Sequence, residues 1–120
     1  NLTGLEKINE LALEGDTIAI TDLKDIVTTG TTDAIKNQAR TDLIEVSKGN
    51  ATALGKLNEL AVAEDAGSIT GLKEVVKNGS TNEIKTAARA NLVAIAKVNL
   101  TGLEKEKSGE IMEERIFQVC

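Results

Sequence analysis

The 120-residue chain is 41% hydrophobic and 28% charged, with a net charge of −5, the composition of a folded domain rather than of a disordered segment. It has no histidine, one cysteine (Cys120) and one aromatic residue (Phe117). It therefore lacks the usual general base and commonest metal ligand, an intramolecular disulfide or zinc site, and a stacking platform for single-stranded nucleic acid. Its acidity gives phosphate backbones no bulk attraction, and no apolar run approaches the ~20 residues that span a bilayer.

The first predicted helix covers about Thr3 to Glu14, where Leu5, Ile8, Leu11 and Ala12 share one face. Thr3 with Glu6 reads as a capping box and Gly15 as the stop. A second helix is expected over about Thr21 to Thr29, burying Leu23, Ile26 and Val27 and closing at Gly30. A third runs from about Asp33 to Lys48, with Ile35, Ala39, Leu43 and Val46 inward and Gly49 beyond.

The same triplet then returns after 49 residues without a gap. Asn9-Glu10-Leu11-Ala12 recurs as Asn58-Glu59-Leu60-Ala61, and Ile35-Lys36-x-x-Ala39-Arg40-x-x-Leu43 as Ile84-Lys85-x-x-Ala88-Arg89-x-x-Leu92. Nearly half of the paired positions are identical. The second copy places Leu54, Leu57, Leu60, Leu72, Val75, Val76, Ile84, Ala88, Leu92 and Ile95 in the core, with a capping box at Ser80 and Glu83. Asn1–Lys7 reappears unchanged at Asn99–Lys105, but Glu106 then stands where an apolar residue is needed. Residues 99–120 are thus a partial repeat followed by a divergent segment, expected to form a C-terminal capping helix or a docking helix.

Leu72-Lys73-Glu74-Val75-Val76-Lys77-Asn78-Gly79, followed by Ser80–Lys97 with its Ala88-x-x-x-Leu92-x-x-Ile95-Ala96 pattern, resembles an armadillo or HEAT repeat. The resemblance covers residues 3–98. It implies an all-α, right-handed α-solenoid of two three-helix repeats, 1–49 and 50–98, whose third helices line a protein-binding face. Peptide-binding armadillo proteins carry a Trp and an Asn on that helix. Thr41 and Ala90, and Glu45 and Ala94, occupy those places here, so the extended-peptide mechanism of that subgroup is not implied.

Lys36 and Arg40, and their equivalents Lys85 and Arg89, are four apart on the third helices. Stacked repeats would align them into a basic ladder for a partner's carboxylates; the alternative is that they are solvated or pair with acids of the neighbouring repeat. Net charge is −4 over residues 1–49, +1 over 50–98 and −2 over 99–120, a gradient suited to head-to-tail stacking between chains. Four Asn-x-Ser/Thr sequons, at Asn1, Asn50, Asn78 and Asn99, coincide with turns and helix caps, and capping accounts for them. No nucleophile motif or phosphate loop is present. The expected function is a protein–protein interaction module or scaffold, with self-assembly into an oligomer or filament as the alternative. No catalysis, cofactor, metal, nucleic acid or membrane is expected. The compartment is open: a cytoplasmic site is the first expectation, and secretion is compatible with the absence of an initiator Met.

Overall fold

A computed structural model of the chain describes residues 1–98; the capping or docking helix expected within 99–120, and Cys120, lie outside the described residues. Among these 98 residues there are six α-helices and no strand: α1 (Leu2–Leu13), α2 (Thr17–Thr29), α3 (Asp33–Ser47), α4 (Ala51–Val62), α5 (Ala66–Asn78) and α6 (Asn82–Ala96). The bounds of α4, α5 and α6 lie 49 residues beyond those of α1, α2 and α3. Within each triplet all three helices touch one another, and α4 packs on α2 and α3 while α5 packs on α3.

Short polar side chains set the helix starts. Asn1 caps α1, its Oδ1 accepting from the Thr3 and Gly4 amides, and Asn50 caps α4 through the Ala53 amide. These asparagines, rather than the expected Thr3–Glu6 box, satisfy the exposed amides of the first turn. Asp16 and Asp65 cap α2 and α5, so both helices begin four residues before the predicted position and bury Ala19, Ile20, Ser68 and Ile69 as well. Thr32 and Thr81 cap α3 and α6; the cap of α6 is therefore Thr81, one residue past the expected Ser80.

One continuous core runs through all six helices. Every core position expected in the second copy is buried, whereas in the first copy Ile8, Ile26 and Ile35 are half-buried and Leu11 is 48% exposed. Leu57, Leu60 and Val75, the equivalents of Ile8, Leu11 and Ile26, lie on α4 and α5, the helices on which the first triplet packs. Ala39, Ala61 and Ala88 are fully buried, as close helix approach requires. A backbone hydrogen bond of 2.7 Å from the Ser80 amide to the Lys48 carbonyl ties the α5–α6 turn to the end of α3.

Candidate functional site

The four basic residues of the third helices fall into different settings. Arg40 spans from α3 to the start of α5: its Nε and Nη2 donate to the two carboxylate oxygens of Asp65 at 2.7 and 2.8 Å, and its Nη1 donates to Asn37 at 2.7 Å. Asp65 also caps α5 and accepts from the Ser68 hydroxyl. Burial pushes the Asp65 carboxyl up, but the Arg40 guanidinium and Ser68 outweigh it and hold the group below its ordinary range. Lys36 and Lys85 lie back over the turns before their own helices, each Cγ only 3.1 Å from where a Cβ on Gly30 or Gly79 would sit. Arg89 is exposed. Among the described residues no ion pair reaches Lys36, Lys85 or Arg89.

Two further links join the triplets, Lys24 to Glu59 and Lys48 to Glu74. The hydrogen bond from Lys24 is the main reason the Glu59 carboxyl titrates below its usual range. Lys48, held chiefly by Glu45 on its own helix, has its ammonium pushed up.

Two of the concave features lie where the first and third helices of a triplet meet; another, of about 390 Å³, lies between α1, α2 and the turn before α3, with Leu5, Ile8, Ile26 and Ile35 among its walls. Between α4 and α6 is a cleft of about 180 Å³ lined by Ala61, Val62, Ala94, Ile95 and Val98 together with the polar Asn58, Asn91 and Glu64. The groove between α1 and α3, about 330 Å³, is polar: Leu2, Glu6, Asn9, Gln38 and Asp42 line it. Asp42 is 8% exposed; burial raises its carboxyl above the ordinary range, against a 2.9 Å hydrogen bond from Gln38 Nε2. The Oδ1 atoms of Asn9 and Asn58, at equivalent positions, are both buried and accept no hydrogen bond among the described residues. A buried carbonyl oxygen left unpaired is costly, and it recurs here because the same Asn-Glu-Leu-Ala stretch recurs in both triplets.

Chemically, the mostly apolar wall of the α4/α6 cleft suits a small aliphatic side chain, and the α1/α3 groove, with Glu6 and Asp42, suits a basic group. Neither is lined by a Ser, Thr, Cys or Lys, and among the described residues no cluster of three or more His, Cys, Asp or Glu is placed to hold a metal. No described helix is long and apolar enough to cross a membrane. The asparagines did not stand out in the sequence as site residues. Their signal was there: an identical Asn inside a helix in both copies, where asparagine is a poor helix former. Asn91, Ala94 and Asp42 carried no comparable signal, because they differ between copies.

No family model matches this chain, and neither a curated protein nor a solved structure matches it.

Proposed function

We propose that the chain is a protein-interaction module: a right-handed α-solenoid of two armadillo/HEAT-like repeats, 1–49 and 50–98, that binds an extended segment of another protein along the grooves between the first and third helices. The observation that carries this reading is the pair of open grooves, one in each triplet, lined by the equivalent residues Asn9 and Asn58. Glu6 and Asp42 select a basic side chain over the first repeat, while Val62, Ala94 and Val98 select an aliphatic one over the second. The chain binds and presents; it catalyses nothing.

Panning a randomised peptide library against the full chain tests this, with recovered peptides titrated by fluorescence anisotropy. Ala94→Glu restores the acid found at Glu45 and should weaken those peptides at least about tenfold. Asn58→Ala should do the same, with circular dichroism unchanged. Peptides that bind both variants as well as the parent would remove the grooves from the reading.

A second reading is end-to-end self-assembly. It is favoured by the acids Glu10, Asp16 and Asp25 on the first triplet, which occupy the places of Glu59, Asp65 and Glu74. A sedimentation series on the unaltered chain tests it: a monomer at every concentration would discard it.

A further inference from the structure

Asp42 is a buried carboxylate that the fold does not neutralise. It is almost wholly buried on α3, and among the described residues no lysine or arginine pairs with it. Its one described partner is neutral: Gln38 Nε2 donates to Oδ1, and no described residue donates to Oδ2. Taking a carboxylate out of water without a cation is unfavourable, and burial is the first reason its ionised form is disfavoured here. The second triplet shows that packing alone does not require the charge, since Asn91 stands at the equivalent place on α6.

Asp42 lines the α1/α3 groove together with Leu2, Glu6, Asn9 and Gln38. The polar walls are rich in acceptors. Glu6 and Asp42 only accept when ionised, and Gln38, whose amide nitrogen is committed to Asp42, keeps its carbonyl oxygen for another donor. Leu2 is half-exposed and offers an apolar strip to an aliphatic stem. These walls belong to the first triplet alone: Gly55, Ala87 and Asn91 replace Glu6, Gln38 and Asp42 in the second.

The two basic side chains fit such a site unequally. A lysine ammonium is compact, strongly hydrated and carries three donors, whereas a guanidinium is planar, more weakly hydrated and carries five. A desolvated carboxylate among further oxygens, on two helices, favours the second. The chain contains one such arrangement already. Arg40 gives Nε and Nη2 to the Asp65 carboxylate and Nη1 to the Asn37 carbonyl oxygen, so a carboxylate and a carboxamide share one guanidinium.

We propose that the α1/α3 groove is an arginine pocket, in which the guanidinium of a partner protein's arginine docks on Asp42, with Glu6 beside it and the stem along Leu2. The inference rests on the reading of the chain as an interaction module and narrows it: the basic side chain taken over the first repeat is arginine and not lysine. The charge that burdens the free fold is the charge that selects the ligand.

The probes are three capped tripeptides with arginine, lysine or citrulline between two alanines, titrated into the full chain and followed by heteronuclear NMR. Arginine should shift the amides around Glu6, Asn9, Gln38 and Asp42 saturably. Lysine should bind at least about fivefold more weakly, and citrulline, the neutral isostere of arginine, should leave those amides unmoved. Asp42→Asn should weaken arginine binding at least about tenfold while melting no lower than the parent, a combination that a purely structural role would not produce. Glu6→Gln, an exposed change, should weaken it less. Equal binding of lysine and arginine overturns the proposal, as does arginine binding that survives Asp42→Asn, or the absence of a saturable shift at millimolar peptide. The wider reading is judged apart from the pocket. Panned peptides that ignore Ala94→Glu and Asn58→Ala but lose affinity with Asp42→Asn would remove the extended segment and leave the arginine pocket. Panned peptides that occupy the grooves without an arginine and tolerate Asp42→Asn would do the reverse.

Discussion

Arg40 and Asp65, on helices that are not neighbours in sequence, meet through paired hydrogen bonds of 2.7 and 2.8 Å. Their side chains are 19% and 24% exposed, so this is a partly desolvated, bidentate pair rather than a loose surface contact, and it fixes the angle at which one triplet sits on the next. Arg40→Ala is expected to destabilise the chain by about 1–2 kcal/mol. Asp65→Ala should cost more, about 2–3 kcal/mol, because it also removes the cap of α5. Asp65→Asn keeps the cap and should cost no more than Arg40→Ala. Urea unfolding of the three variants and a double-mutant cycle would check the order; equal losses for Asp65→Ala and Asp65→Asn would show that the cap contributes nothing.

The same pair predicts a pH dependence. The folded-state carboxyl of Asp65 lies below its ordinary value, so its contribution is fully present above the unfolded value, near 3.8, and is lost as pH falls through the lower folded value. The stability gap between the parent and Asp65→Asn should therefore be constant from neutral pH down to about pH 5 and close below about pH 4. A gap that persists unchanged at pH 2 would mean that the pair acts through shape rather than charge.

Asp42 behaves in the opposite sense. Burial raises its carboxyl, so the ionised form is a burden on the fold at neutral pH that lifts as pH falls through the raised value. Asp42→Asn keeps the acceptor for Gln38 and reproduces Asn91 of the second triplet. It should stabilise the chain by about 1 kcal/mol at pH 7, an advantage that disappears in acid. Thermal melts at pH 7 and pH 4 would show it; a stability loss at pH 7 would mean that the charge has an attractive partner.

The repeat, the helical class and nearly all of the second triplet's core could be read from the 3.6-residue spacing and the 49-residue echo. What the pattern did not give was which copy lies over which. Ile8 and Leu57, or Leu11 and Leu60, look alike as text, yet only one of each pair is covered. The α2 and α5 starts were missed for a related reason: Thr17-Ile18 and Ala66-Gly67 show no apolar period, and the aspartates before them gave the only cue. Arg40 was legible as a candidate for pairing but not for its partner, since Asp65 is 25 residues away and only packing brings it near. The groove residues were least visible, because their role depends on differences between copies.

Glu64 and Gly15 are equivalent residues at the turn after the first helix of each triplet, and both have positive φ, 72° and 95°. Glycine takes this conformation freely and glutamate does not. Glu64→Gly should therefore stabilise the chain by about 0.5–1 kcal/mol, and Gly15→Ala should destabilise it by a similar amount. Guanidinium melts of the two variants would check the opposite signs; destabilisation by Glu64→Gly would show that its side chain compensates for the backbone.

Leu11 and Leu60 carry the sharpest contrast between the triplets. They are the same residue at the same repeat position, yet Leu60 is 2% exposed and Leu11 is 48% exposed: α4 has the first triplet packed on it, whereas among the described residues α1 meets only α2 and α3 of its own triplet. Leu60→Ala opens a cavity between triplets and should cost about 2–4 kcal/mol. Leu11→Ala removes a half-wet side chain and should cost under about 1 kcal/mol. Leu11→Lys should be tolerated almost as well, and Leu60→Lys should prevent folding of the second triplet onto the first. Denaturant unfolding of the two alanine variants reads the difference directly. If both lose the same stability, α1 is covered in solution, and the arrangement in which the first triplet forms an uncovered end would have to be abandoned.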